Sequence, residues 1–547
     1  MPDMPRKTGK TLVRGTLILI VGNIVVKIIG ALFKLPLANI IGADGMGLYN
    51  ASFIVYDIFL VIATAGFPLA ISKMVARSSA LGNDGEALKI FTVSRRVFFV
   101  IGLACTAAML LGAKTFSRLI GNTRAYYAML ALAPAILFVS LMSSYRGYYQ
   151  GTNDMIPTTI SQVVEAVCRL VVGLSFSWVL QSRGFSAEIV AMGAIVGITV
   201  GEFSSTFTLG VLHAVRTRRR RPKRVCKTSA WSIIVMMFKT SIPIGATALI
   251  ISIINMFDNS VVMHRLQFIG YTEKQANTLY GCFNMAFTVF SLPITIVSAL
   301  TISVFPVLSY AFACRDYHTV SRAAAASLRM AMLAATGSAA MFAALSYPLV
   351  NLLYFSRPQD AAIAAPLLML MAPSAISISL SMLTTCILQA IDHLLLPSRS
   401  AIIGGIVCLA LNWLLVGQKG IGIYATPIGI FVCFTISAAL NISAIRKSSR
   451  IRISYRDLFY KPIMPAAVMA FCGMIFFNAL SPHAGVIRAS LLSLALSIAV
   501  YIIALFFNNS IERGDLLMLP KGEKIVGALE RLRLLPKPES APGGQRR

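Results

Sequence analysis

Long apolar runs separated by short polar or basic stretches make up most of the chain. A bilayer core takes about 20 apolar residues per helix. Windows of that kind lie near residues 13–37, 47–72, 90–113, 126–149, 157–181, 187–213, 231–263, 278–310, 325–355, 361–391, 397–417, 420–445, 459–480 and 486–508. The pattern predicts an all-α, polytopic membrane protein of about 14 transmembrane helices. The first run is longer than the apolar core of a signal peptide and lacks a small-residue cleavage site before it reaches Lys34. It is therefore expected to stay as a membrane helix.

The apolar pattern also repeats. A shift of about 231 residues lays Asp258 on Lys27, Arg265 on Lys34, and Leu279-Tyr280 on Leu48-Tyr49. Further along, Gln150-Gly151-Thr152-Asn153-Asp154 before Pro157 is echoed by Gln389-Ala390-Ile391-Asp392 before Pro397. In each case a helix should end at the polar turn and the proline should open the next. The repeat predicts two parallel six-helix lobes around a central cavity, at 13–215 and 231–446. A basic loop at 216–230 joins them, helices 13 and 14 follow within 447–508, and 1–12 and 509–547 form the termini. Lobes that rock about a site near the midplane give alternating access.

Composition fixes the environment. Hydrophobic residues make up 57% of the chain and charged residues 13%, with a mean hydropathy of +0.77. The net charge of +29 would suit nucleic acid, but no soluble domain is present to present it. The basic clusters fall on one side instead: Arg6 to Arg14, Arg216 to Lys227, Arg446 to Lys461, and the C-terminal tail. This is the positive-inside pattern, with both termini in the cytoplasm. The run RTRRRRPKRVCK reads as a topology anchor that touches anionic membrane lipids. Lys114, Arg118 and Arg124, between spans three and four, break the pattern.

Little else suggests chemistry. The nine cysteines include no CxxC pair, and the five histidines are dispersed, which argues against disulfides and metal sites. No phosphate-binding glycine loop leads into Lys-Ser or Lys-Thr, and nothing resembles a nucleophile elbow. The expectation is a carrier rather than an enzyme, with no catalytic residues, no metal and no cofactor.

Ionisable residues inside the apolar runs are the functional candidates, because each costs about 2.5 to 3.5 kcal/mol at a helix centre on insertion scales. Lys27 and Lys34 are seven residues apart and so share one helix face, and Asp258 and Arg265 occupy the equivalent face of span seven. With Lys239, these residues give a net cationic lining suited to an anionic substrate, so Lys27, Lys34, Lys239 and Arg265 are candidate substrate-binding residues. Snorkelling to the interfaces is the competing role for the lysines, and interface anchoring for Arg265. Asp57, Glu165, Arg169, Glu202 and Asp258 are candidate gating or ion-coupling residues. Glu165 and Arg169, at i and i+4, equally fit a structural ion pair, and Glu202 and Asp258 fit partners of lysines. Lys73, Arg77 and Arg146 are expected at the cytoplasmic interface as anchors. Gly30, Gly42, Gly45 and Gly47 suit close packing or a tight turn. Pro36, Pro68, Pro243, Pro293 and Pro306 suit helix kinks.

The stretch LVRGTLILIVGNIVVKIIGALFKLPLANIIGADGMGLYNASFIVYDIFLVIATAGFPLAISKMVA resembles the opening of the stage V sporulation protein B branch of the polysaccharide-exporter and MurJ group. YRGYYQGTNDMIPTTISQVVEAVCRLVVGL resembles spans four and five of the same branch. The resemblance implies the multidrug/oligosaccharidyl-lipid/polysaccharide exporter superfamily, with two six-helix lobes in a V. It also implies two further helices that guide a polyprenyl tail, and transfer of lipid II between leaflets. Lys27 matches a basic cavity position of that group and Lys34 lies at or beside another. Leu48 and Val61 stand where Gram-negative members carry charges, so those roles do not transfer.

The expected function is thus flipping of an undecaprenyl-pyrophosphate-linked cell-wall precursor, most simply lipid II, driven by membrane potential or a coupled ion. Its partners would be that lipid-linked anionic oligosaccharide, membrane lipids and, as candidates, cell-wall synthesis proteins, with no nucleic acid. The alternatives are another lipid-linked polysaccharide exporter, or a proton- or sodium-coupled multidrug antiporter. A scaffold without transport would gain nothing from intramembrane charge.

Overall fold

The structure is a computed structural model that describes residues 6–217, 228–448 and 460–508. The basic run from 218 to 227, the stretch 449–459 and both chain ends lie outside the described residues, and with them most of the proposed topology anchors. Everything described is helix or short connection, with no strand among the described residues.

The helices are α1 (Arg6–Thr64), α2 (Phe67–Ala80), α3 (Asp84–Leu119), α4 (Tyr126–Gly151), α5 (Ile156–Ser182), α6 (Ala187–Thr217) and α7 (Ala230–Phe268). They continue as α8 (Glu273–Ala313), α9 (Tyr317–Leu353), α10 (Pro358–Ala390), α11 (Leu395–Leu415), α12 (Ala425–Ser448), α13 (Lys461–Ala484) and α14 (Val486–Phe507). Among the described residues, thirteen helical stretches are long and apolar enough to cross a membrane.

The first of those stretches is long enough to cross twice. A straight helix of 59 residues would be about 88 Å long, nearly three hydrocarbon thicknesses. The helix breaks at Gly42, whose φ of 66° and ψ of −175° belong to a region only glycine enters readily. Phe33 and Tyr49 show that the chain doubles back there. They would be about 24 Å apart along a continuous helix, yet their ring centroids are 6.3 Å apart. Gly42→Ala is therefore expected to cost about 1–3 kcal/mol through backbone strain. Thermal unfolding of the purified protein in detergent would read this; an unchanged midpoint would mean the turn does not need glycine.

Other glycines and prolines divide by use. A side chain at Gly281 would run into the Ala43 carbonyl, and one at Gly47 into Asn277. These absences let the start of α8 lie directly on the α1 turn. Gly30 has open space around it, so close packing does not explain that glycine. Pro68 opens α2 after Gly66 (φ 75°) rather than kinking a helix, whereas Pro36 lies within α1 and Pro293 and Pro306 within α8.

The two sequence echoes at the ends of α4 and α10 adopt one and the same turn. Asn153 and Asp392 are both left-handed, at φ 56° and 65°, a conformation Asn and Asp tolerate. Their N–H groups donate to the carbonyls of Gln150 and Gln389, and the next residues, Asp154 and His393, donate to Tyr149 and Leu388. That is the Schellman pattern for closing a helix, and α5 and α11 start within three residues of it.

The chain forms two compact units: residues 1–288 with 409–426, and residues 289–408 with 427–547. In the first, Phe67, Ile71 and Val75 of α2 pack with Ile90 and Phe98 of α3 and with Ile233 and Met237 of α7. In the second, α9 and α10 pack through residues such as Leu328, Met332, Leu383 and Ile387. There α13 and α14 meet through small residues, with Gly473 beside Ser497. Tyr501 of α14 donates to the Leu333 carbonyl of α9 at 2.6 Å. Small residues and interhelical hydrogen bonds of this kind hold helices together where lipid supplies no hydrophobic drive. Large exposed side chains such as Leu111 and Phe207 are then ordinary lipid-facing residues. Outside the apolar spans, Asp316 caps α9 by accepting the Thr319 N–H at 3.0 Å. That bond holds its carboxyl below the usual carboxylate range.

Candidate substrate and coupling site

The polar face of α5 organises the first unit. Thr158, Gln162, Glu165 and Arg169 follow helical spacing and so lie along one stripe of a membrane helix. The stripe meets α4 and α6, which bring Arg146 and Glu202 to it. Arg146 donates to Glu165 at 3.0 Å, and Arg169 donates to Glu165 at 2.7 Å and to Glu202 at 3.4 Å. Two arginines and two glutamates therefore form one network across three helices. The Glu202 side chain is 8% exposed, and its second carboxylate oxygen is buried with no hydrogen-bond partner among the described residues. A buried, half-satisfied carboxylate is costly in this setting and can take up a proton or a small cation.

Three of the sequence candidates thus come together, and the structure adds a fourth member. Arg146, expected as an interface anchor, turns its guanidinium to Glu165. Nineteen residues separate the two in sequence, so only the rotation of α4 against α5 reveals the pair. Glu165 and Arg169 do pair at i and i+4, but the pair is part of the larger network.

Lys34, on α1, lies within electrostatic range of Arg169, which adds a third cation to this neighbourhood. Tyr56, fully buried in the same region, feels Glu202, Arg169, Glu165 and Asp57. Asp57 faces α7 and accepts the Ser252 hydroxyl at 2.5 Å. Lys27 and Lys34 are both exposed side chains on one face of α1.

The α7 candidates do not share one place. Lys239 and Arg265 are 26 positions apart, about 39 Å along a helix, so these two cannot line a single small pocket. Asp258 accepts from Asn412 of α11 at 2.8 Å and ties the end of that helix to α7. Arg265 occupies the last turn of α7, between the rings of Phe268 and Trp413, at 4.7 Å and 4.9 Å from the centroids. A cation between two aromatic faces is attracted by both.

A second polar network, which the sequence did not mark as a site, closes the end of the first unit that carries the α1 turn. Arg124 makes a two-pronged bond to Asp44, both distances 2.8 Å, and donates through Nε to Glu188 at 2.5 Å. Asn277 of α8 donates to Asp44 at 2.6 Å and accepts from Asn122 at 2.7 Å. Glu273 accepts from Thr123 at 2.8 Å and from the Arg124 N–H at 3.2 Å. One arginine therefore clasps the α1 turn and the start of α6, and the surrounding bonds add the start of α8. The one signal in the sequence was Arg124 itself, a cation on the wrong side of the positive-inside pattern, whose charge is answered here by Asp44 and Glu188. At the opposite end, Arg216 pairs with Asp154, and Lys89 of α3 donates to the Thr228 carbonyl ahead of α7 at 2.5 Å.

Among the described residues no group of three or more His, Cys, Asp or Glu side chains could hold a metal ion. The family model for polysaccharide biosynthesis protein matches residues 12–312, more than half of the chain. The chain belongs to that family.

Within this family, the chain is 24% identical over 528 residues to Stage V sporulation protein B of Bacillus subtilis, spanning 95% of this chain and 99% of that protein. It is also 24% identical over 483 residues to Lipid II flippase MurJ of the same organism, spanning 85% and 87%. Among solved structures it resembles a multidrug resistance MATE family transporter of the MOP superfamily in an inward-facing conformation. That match has a TM-score of 0.65 at 16% identity and covers 76% of this chain and 96% of that one. An MOP superfamily transporter from Pyrococcus furiosus matches with a TM-score of 0.57 at 16% identity, over 80% and 95%. The fold is therefore that of the MOP-superfamily transporters. The all-helical, multi-pass membrane architecture expected from the apolar runs and the family read from the opening stretch both hold.

Proposed function

We propose that this chain is a flippase that moves an undecaprenyl-pyrophosphate-linked cell-wall precursor, lipid II foremost, from the inner to the outer leaflet by alternating access. The observation that carries this reading is the pair of exposed lysines, Lys27 and Lys34, on one face of a membrane helix. An exposed ammonium in a membrane span needs a hydrated or anionic neighbour. A pyrophosphate supplies one through charge-assisted hydrogen bonds. The relative named as a lipid II flippase supports the same substrate class.

The tail needs a different surface, and α13 with α14 offers one. A groove of about 430 Å³ runs between them, lined by Met464, Val468, Val500, Ile503 and Phe507. Its apolar walls suit a polyprenyl chain. With both termini in the cytoplasm and the cell interior negative, moving about two negative charges outward across 100 mV is favourable by roughly 4–5 kcal/mol. The Glu202 network is the place where a proton or sodium ion would couple to the cycle.

The test is lipid II accessibility at the outer leaflet of cells depleted of their own flippase and expressing this protein. Wild type is expected to restore accessibility, and Lys27→Ala/Lys34→Ala to abolish it with normal membrane insertion. Full activity of the double variant would remove the lysines from the substrate path. No rescue by correctly inserted wild type would move the substrate to another lipid-linked glycan, and after that to a cationic drug exchanged for an ion at Glu202.

A further inference from the structure

At the end of the first unit that carries the α1 turn, α3, α7 and α11 surround a pocket of about 610 Å³. Its walls include Arg118, Ser260, His264, Arg265 and Trp413, and none of the lining residues is acidic. Three interhelical bonds fix those walls. Ser260 donates to the Leu119 carbonyl at 2.6 Å, Gln267 to the Gly121 carbonyl at 2.7 Å, and Asn412 to Asp258 at 2.8 Å.

The functional groups are held in particular states. His264 places Nδ1 at 2.8 Å from the Ser260 carbonyl, and because a carbonyl only accepts, Nδ1 carries the hydrogen and Nε2 is the ring nitrogen left over. Arg265 is clamped between Phe268 and Trp413, and a side chain at Gly417 would occupy the place of its guanidinium. Its Nε is nonetheless buried with no hydrogen-bond partner among the described residues. No carboxylate pairs with Arg118 or Arg265 among the described residues. Trp413 is 53% exposed, so part of its indole is open to a ligand.

We propose that this pocket binds a sugar diphosphate, with Arg118, His264 and Arg265 holding the phosphate oxygens and Trp413 lying against the sugar ring. Two arginines give planar, multi-toothed recognition of phosphate. A histidine adds a donor when protonated, and an indole face gives an apolar surface for the ring. Interface anchoring of Arg118 and Arg265 would require none of the clamp at Gly417, the unpartnered Nε or the acid-free lining. The proposal rests on the flippase reading for the statement that the diphosphate arrives attached to a lipid. Under that reading the pocket receives the head group at the end of its transit, and it is a different place from the Lys27–Lys34 face.

The chain has three tryptophans, Trp178, Trp231 and Trp413, so Trp178→Phe/Trp231→Phe leaves Trp413 as the sole reporter. The full chain in detergent would be titrated with UDP-N-acetylglucosamine, with inorganic pyrophosphate, and with micelles containing phosphatidylglycerol. A saturable change in Trp413 emission with the sugar diphosphate is expected. Pyrophosphate should compete, phosphatidylglycerol should not reproduce the change, and Arg118→Ala/Arg265→Ala should weaken the response at least tenfold. An equal response to phosphatidylglycerol would make this a site for bulk anionic lipid and overturn the proposal, as would no response from folded protein. The two readings separate cleanly. Restored lipid II exposure with a silent Trp413 removes only the pocket, and a responsive Trp413 without restored exposure removes only the flippase assignment.

Discussion

Replacing Arg169 by alanine is expected to lower stability by about 3–5 kcal/mol, the usual cost of stripping one partner from a buried ion pair. The size follows from its position between two carboxylates. Glu165 keeps Arg146 at 3.0 Å, but Glu202 loses its one ion-pair partner among the described residues and is left as a buried negative charge. Arg169→Ala/Glu202→Gln should recover part of the loss, because the second change neutralises the stranded group. Unfolding midpoints of the three proteins in detergent would show it. A double variant less stable than Arg169→Ala alone would mean that the network is not held by the charge of Glu202. Arg169→Lys is a sharper probe of geometry, since a single ammonium keeps the charge but loses the planar guanidinium that reaches both glutamates.

Arg124→Ala is expected to open the end of the first unit that carries the α1 turn. The carboxylates that Arg124→Ala would strand, Asp44 and Glu188, are about one-fifth exposed, against 8% for Glu202, so solvent screens them and the loss of stability should be nearer 2 kcal/mol than the cost at Arg169. The larger effect should be on access. Ala276, next to the Asn277 that bridges Asp44 and Asn122, is fully buried. In a cysteine-free background, Ala276→Cys should react slowly with a membrane-impermeant maleimide, and several-fold faster once Arg124→Ala is added. Equal rates would mean that Arg124 does not keep this end closed. Labelling in intact cells also reports which side of the membrane this end faces, and the positive-inside pattern predicts the outside.

These two sites differ in how far the sequence disclosed them. Glu165, Arg169 and Glu202 stood out because a charge inside an apolar run has a high cost, and that cost is visible residue by residue. Which charge answers which was not visible, because helix rotation decides it, and the Arg146–Glu165 pair stayed hidden for that reason. Asp44, Glu188 and Glu273 sit at helix ends, where charged residues are unremarked, so their convergence on Arg124 left no trace beyond one cation on the unexpected side. The helix count was legible because apolar runs of membrane length have few other uses. The helix break at Gly66, between α1 and α2, was not, since it falls within an apolar window and changes only direction.

The doubling back at Gly42 bears on how the chain enters the membrane during synthesis. A turn that uses almost no residues leaves no hydrophilic loop to be pulled across, so the first two passes can enter together as a helical hairpin. Lys34 then has Phe33 and its own helix packed against Tyr49 of the returning pass, rather than a fully lipid-exposed helix around it. A lysine that would burden a lone segment by about 2.5 to 3.5 kcal/mol is thereby carried in by two apolar runs instead of one. The hairpin geometry and the charged face it bears are accommodated in the same step of biogenesis.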